Sequence, residues 1–297
     1  MPKPIEVLVA GATGQQGGAV ARALLDGGHR VRALTRRPGS PAAARLRAMG
    51  ARIVEGDLEE GASIRAAAAG ADAFFLMATP FQDGPSAEIR QGLRAAEAAR
   101  AAGVRHLVYS SVAGADRETG IPHFETKREI EARVGRLGIS YTILAPVSFM
   151  ENLVGPLFLG GLRAGRLALP LPAARRLQMV ALADLAALAR LVLERPALFD
   201  GMRIEVASDE RTGPEAARVL SRAAGAPIEW VELPLEELRA RSEDLATMFA
   251  WLDQVGYHAD VAGLRRAWPE VGWHRLEDWA ATQDWSVLDV APEQPTA

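Results

Sequence analysis

The sequence predicts an α/β protein with a doubly wound parallel Rossmann sheet and a smaller, mainly helical C-terminal lobe. Three observations carry this. Ile5 to Ala10 (IEVLVA) is a mostly apolar run, interrupted by Glu6 and closed by Gly11, the pattern of a strand buried on both faces. GATGQQGGAVARALLDGG follows at once, with Ala19, Val20, Ala23, Leu24 and Leu25 at helical spacing and Gly27-Gly28 as a stop. Beyond it, strand-sized apolar runs alternate with helical stretches as far as Leu144, the arrangement that builds parallel sheets.

The first strand, its turn and its helix point to a bound anion. Gly11, Gly14 and Gly17 allow a tight turn, close approach of backbone to phosphate and close packing of helix on strand. The unpaired amides and positive dipole end of the helix favour a diphosphate there. Thr13 and Gln16 belong to the same turn. The spacing is GxxGxxG, and the stretch resembles the short-chain dehydrogenase/reductase superfamily, in particular its atypical NmrA-like branch, whose turn commonly reads GATGxxG. That resemblance implies an NAD(P)-binding protein.

The remaining elements follow in order. His29 to Thr35 (HRVRALT) reads as a second strand, closing in Arg36-Arg37. An NAD-binding unit carries an acid near this point to hold the ribose 2′-hydroxyl. Here two guanidiniums stand in its place, and their forked donors suit a dianionic 2′-phosphate. NADP(H) is therefore preferred over NAD(H). A helix over Pro41 to Gly50 leads to a third strand, Ala51 to Glu55, which ends in Gly56-Asp57-Leu58. Asp57 and Leu58 resemble the superfamily's adenine-contact turn, and Asp57 also has the chemistry of a helix N-cap. A fourth strand, Ala73 to Ala78, is followed by Thr79 and Pro80. Strand C-termini line the ligand crevice of such a sheet, which brings Ala78, Thr79 and Pro80 to the cofactor.

Val104 to Ser111 (VRHLVYSS) is a fifth strand after the amphipathic helix Ser86 to Ala102. The resemblance implies a carbonyl-polarising Ser at Ser111 and then YxxxK, two residues on one helix face. The chain reads His123-Phe124-Glu125-Thr126-Lys127, so Lys127 is in place and His123 replaces the Tyr. None of Tyr109, Tyr141 and Tyr257 has a Lys four residues on. An imidazole titrates near neutrality and can serve as acid and base, but it is shorter than a phenol and a neighbouring ammonium disfavours its cation. Ser111, His123 and Lys127 are the candidate catalytic residues, with Lys127 also implied to hold the nicotinamide ribose. After a sixth strand, Ile139 to Leu144, the stretch Pro146 to Asn152 resembles the NmrA-like pattern RPxxFMEN, with FMEN intact and Ala145 in place of the Arg. That implies cofactor contacts from Pro146, Phe149 and Asn152.

Beyond Asn152 the alternation weakens. Leu153 to Leu167 reads as a glycine-broken helical stretch, and a helix begins at Asp184. Met202 to Ala207 is a seventh strand. All six tryptophans lie between Trp230 and Trp285, which marks a change of composition. The expected organisation is a Rossmann domain over 1–152, a C-terminal substrate or partner lobe over 153–287 with segments returning to the sheet, and a disordered tail over 288–297.

Composition narrows the function. Of 297 residues 49% are hydrophobic and 24% charged, and the net charge is −3, so no basic footprint for nucleic acid is present. Cysteine is absent, which excludes disulfides, thiolate nucleophiles and Cys-bound metals. No His/Asp/Glu cluster has metal-ligand spacing, and no G-x-S-x-G elbow is present. No apolar run spans a bilayer and no signal segment precedes the first strand, so a cytoplasmic protein is expected. Two of the 34 basic residues are lysine, Lys3 and Lys127. NmrA-like proteins divide between redox sensors that bind regulatory protein partners and NAD(P)H-dependent reductases of small molecules. The missing Tyr beside retained cofactor residues favours an NADP(H)-binding redox sensor. The alternative is a reductase of quinone-like or related carbonyl substrates, which need less acid assistance.

Overall fold

The computed structural model describes residues 3–289, and the chain divides into two compact units. The first runs to Pro146 and resumes over Leu182–Val206; the second takes Val147–Ala181 and the chain from Ala207 onward.

In the first unit, strands β1 (Glu6–Val9), β2 (Arg30–Thr35), β3 (Arg52–Glu55), β4 (Ala73–Leu76), β5 (His106–Ser110), β6 (Ser140–Pro146) and β7 (Arg203–Val206) form one sheet. Their order is β7-β6-β5-β4-β1-β2-β3, and every neighbouring pair is parallel. The order reverses between β1 and β4. In a doubly wound sheet that switch point opens the ligand crevice at the strand C-termini.

The sheet is covered by α1 (Gln15–Asp26), α2 (Pro41–Ala48), α3 (Gly61–Ala68), α4 (Pro80–Asp83), α5 (Pro85–Ala101), α6 (Pro122–Val134) and α7 (Leu182–Glu194). Helix α1 packs on α7, while α5 packs on α3 and α6. Val7, Leu8 and Val9 of β1 are wholly buried, as a strand covered on both faces requires. Leu8, Phe74, Leu76, Leu107 and Tyr109 meet Ile64, Ala95, Ala96, Ala99 and Ile130 in one core cluster. Burying a large apolar side chain contributes about 1.5–3 kcal/mol, and this cluster anchors the helices that flank the crevice.

The second unit is less regular. Ser148–Phe149, Arg176–Val180 and Asp209–Thr212 form a three-stranded sheet, and Arg166–Leu169 pairs with Glu229–Glu232. Helices Leu235–Arg239, Glu243–Gln254, Val261–Ala267 and Leu276–Ala281 follow.

Four sequence expectations are corrected here. The boundary lies after Pro146 and not after Asn152, because Ser148–Phe149 pairs with Arg176–Val180. The stretch expected to be helical to Leu167 leaves the helix at Arg163, turns at Gly165 (φ 70°) and becomes a strand. The helix expected from Asp184 starts at Leu182. Leu288, placed in the tail, closes a short 3-10 helix from Trp285; the rest of the expected tail from residue 290 lies outside the described residues. Among the described residues, no helix is long and apolar enough to cross a membrane.

Candidate functional site

The C-terminal ends of β1, β2, β3 and β4 surround one cleft in the first unit. Gly11, Thr13, Gly14 and Gln16 line its floor. Gly11 has φ 62°, and a Cβ there would collide with Met77 Sδ. Gly14 caps α1 without a side-chain hydrogen bond, and the first turn carries no acid. The helix start thus presents its amides and its positive end uncovered. Gly17 is buried under the turn; a Cβ there would lie 2.5 Å from Ala10 O and from Gly11 C and O. Those are backbone atoms, so the helix can sit this close to β1 only with glycine at that position.

Three further segments form the walls. Thr35 ends β2, and its Oγ1 accepts the Arg37 amide at 3.1 Å. Arg36 and Arg37 line the cleft, both exposed, and Arg36 Nη2 reaches Gln82 Oε1 at 2.8 Å. No acid lies between Thr35 and Ser40. Asp57 and Leu58 follow β3 along the same cleft. Asp57 does not cap α3, which starts at Gly61 after Glu60. Its Oδ1 instead accepts the Glu59 amide at 3.0 Å, and its own amide bonds Ser63 Oγ at 3.1 Å, so the carboxylate shapes its own turn. Ala78 and Thr79 line the cleft beyond β4, while Pro80 is buried at the start of α4.

Lys127 comes from α6 to the same strand end. Its Nζ donates to Ala78 O at 3.2 Å and to Glu88 Oε1 at 2.5 Å. The other two candidate catalytic residues are placed differently. His123 is 7% exposed, with ring centroids 4.8 Å from Phe124 and 5.7 Å from Phe81; none of Ser111, His123 and Lys127 is among the cleft-lining residues, and Lys127 reaches the cleft through Ala78. Ser111 is buried, and its hydroxyl donates to Glu131, which also holds Arg203 Nε at 2.9 Å. Successive residues at the end of β5 face opposite sides of the sheet, and it is Ser110 whose Oγ accepts from Gln16 Nε2. Ser111, His123 and Lys127 thus make these contacts with different neighbours: Glu131, the rings of Phe124 and Phe81, and Glu88 with Ala78 O. Burial, followed by the carboxylates of Glu88 and Glu131, pushes the Tyr109 phenol well above its usual range.

Pro146 is buried at the end of β6, its carbonyl accepting Ala113 N at 2.9 Å. Phe149 and Asn152 belong to the second unit. Phe149 pairs with Val180, Asn152 lies in the 3-10 helix Met150–Val154, and the neighbouring Glu151 accepts Trp279 Nε1 at 3.1 Å.

Thr35, Gly56, Met77, Gln82 and Gln91 also line the cleft and were missed from the sequence. Thr35 ends β2, and Gly56 and Met77 follow the ends of β3 and β4, so the rule that ligands gather there could have found them. Gln82 and Gln91 carry no such signal, since they arrive from α4 and α5. The donor set fits a dinucleotide: a Cβ-free floor beneath uncapped amides, two guanidiniums on one wall and an ammonium at the opposite strand end.

A family model described as the NmrA-like family matches residues 4–283. The NAD(P)H azoreductase of Xenophilus azovorans is 29% identical over 234 residues, covering 78% of this chain and 79% of that one. The structure of Citrobacter sp. triphenylmethane reductase complexed with NADP(H) superposes with a TM-score of 0.78 at 22% identity, over 94% of this chain and 99% of that one. NmrA, a negative transcriptional regulator solved in complex with NADP, gives 0.77 at 22% identity, over 95% and 99%. The chain belongs to the NmrA-like family.

Proposed function

We propose that this chain binds NADP(H) in preference to NAD(H) and is an NADPH-dependent reductase of acceptors that need no acid from the protein, such as quinone-like compounds. The observation that carries this reading is the split within the site. The dinucleotide cleft is fully furnished, whereas His123 and Ser111 are turned to other partners.

Gly11, Gly14 and Gly17, with the amides of the first turn of α1, would hold the diphosphate. Arg36 and Arg37 would take the 2′-phosphate, Asp57 and Leu58 the adenine side, and Ala78, Thr79 and Lys127 the nicotinamide ribose. When bound, NADPH supplies a hydride. Lys127 would orient the ribose, but two acceptors already hold its head, which suits it to binding and not to proton shuttling. A quinone-like acceptor forms a stabilised phenolate on reduction and can take its proton from water. Likeness to the azoreductase supports this reading.

The same absent acid favours a second reading, a redox sensor that binds NADP(H) without turnover and responds through a regulatory protein partner. Oxidation of NADPH followed against a panel of quinone and azo acceptors separates the two. Turnover that survives His123→Ala supports the reductase reading. Binding without turnover on any acceptor transfers support to the sensor. Turnover abolished by His123→Ala, with NADPH affinity intact, would make His123 the acid and overturn the proposal.

A further inference from the structure

Glu88, on α5, is wholly buried. Lys127 Nζ lies 2.5 Å from one carboxylate oxygen, and Thr126 Oγ1 donates to the other at 2.5 Å. A buried carboxylate is strongly disfavoured unless paired, and a buried pair is weak support for stability because apolar side chains would serve as well. The helices have apolar contacts of their own at this place. Gly92 gives Ile130 room, since a Cβ there would lie 2.6 Å from Ile130 Cδ1, and Ala95, Ala96, Ala99, Ile130 and Val134 share the core cluster. Docking of α5 on α6 therefore does not explain a charge at position 88.

What the carboxylate does is fix the head of an otherwise flexible side chain. Lys127 donates to Glu88 and to Ala78 O, and Ala78 lines the cleft. An ammonium has three donors, so one remains. We propose that Glu88 is a positioning residue for cofactor binding: it holds the Lys127 ammonium at the C-terminal end of β4, leaving a single N–H for the ribose hydroxyls. This rests on the reading that Lys127 contacts the cofactor.

A double-mutant cycle tests it, with NADPH affinity measured by calorimetric titration of the full chain for wild type, Glu88→Gln, Lys127→Met and the pair together. Each single variant is expected to bind about tenfold or more weakly, and the double variant to bind within about twofold of Lys127→Met, a conservative allowance for additivity error. Wild-type affinity in Glu88→Gln, or losses that multiply in the double variant, would overturn the proposal, because a merely structural Glu88 would act with or without Lys127. Wild-type affinity in Lys127→Met would instead overturn the underlying assignment of Lys127, and the proposal with it. Should Glu88→Gln fail to fold, the double variant, which removes both buried charges, is compared directly with Lys127→Met: equal affinity supports positioning, and a further loss overturns it. Lysine labelling read by mass spectrometry adds a second readout, since Lys3 is the only other lysine. NADPH is expected to slow labelling of Lys127 and leave Lys3 unaltered; no protection would contradict the assignment.

Discussion

The two sets of cations beside the cleft, Arg36 and Arg37 on its wall and Lys127 behind Ala78 at the end of β4, are held in opposite ways. Arg36 and Arg37 are exposed, and Arg36 donates to Gln82 Oε1. The Lys127 side chain is 12% exposed, and its partner Glu88 is wholly buried. Exposed guanidiniums cost the fold little and can be exchanged without disturbing it, so they suit the choice between related cofactors. A buried ammonium must be held by a counter-charge, and it suits a contact that both cofactors share. Salt separates the two further, because exposed charges are screened and buried ones much less.

The contrast can be broken at the element both sets depend on. Gly17→Ala places a Cβ 2.5 Å from backbone atoms of Ala10 and Gly11, which cannot yield as a side chain would. Loss of detectable NADP(H) and NAD(H) binding is expected, with a stability loss of about 1–3 kcal/mol, measured by calorimetry and denaturant unfolding. On the buried side, Lys127→Ala strands the Glu88 carboxylate. Stability should fall by about 3–5 kcal/mol, and affinity for both cofactors should weaken by a similar factor. On the exposed side, Arg37→Glu should weaken NADP(H) by about 1–3 kcal/mol for each charged hydrogen bond it removes, leave NAD(H) binding and unfolding unaltered, and shrink in effect as salt rises. Equal weakening of both cofactors would remove Arg37 from the 2′-phosphate.

The smallest effect sharpens the buried side. Among the described residues the Tyr109 hydroxyl has no hydrogen-bond partner although it is buried. Tyr109→Phe is expected to stabilise the fold by about 1 kcal/mol and to leave NADPH affinity unchanged. With the phenol held above its usual range by burial and by Glu88 and Glu131, ultraviolet titration should show Tyr109 remaining protonated until the protein unfolds in alkali.

Legibility in the sequence followed the physics of each region. The parallel sheet was readable because strands such as β1 bury a run of apolar residues, Val7-Leu8-Val9, under helices on both faces. The turn was readable because Gly17 has no room for a Cβ against the backbone of Ala10 and Gly11, and Gly11 sits at φ 62°, where glycine is favoured. The second unit was harder. Asp209–Thr212 (DERT) is a strand without any apolar pattern, held by its ladder to Arg176–Val180. Within the site, the sequence placed Lys127 beside a His and a Ser. The partners it has in the fold, Glu88 and Ala78 O, lie 39 and 49 positions away. No local spacing announces a pair made across two helices. Ser110, which ends β5, and Ser111 after it show the same limit, since their order in the chain does not say which one faces α1.

Both sets of cations have meaning only if the cleft of the first unit is an NADP(H) site. Calorimetric titration of the wild-type chain with NADPH and with NADH, at low and at high salt, tests this most directly. Saturable binding of both is expected, with NADPH the tighter ligand at low salt and its advantage narrowing as salt screens Arg36 and Arg37. Absence of binding by either, or tighter binding of NADH at low salt, would contradict it.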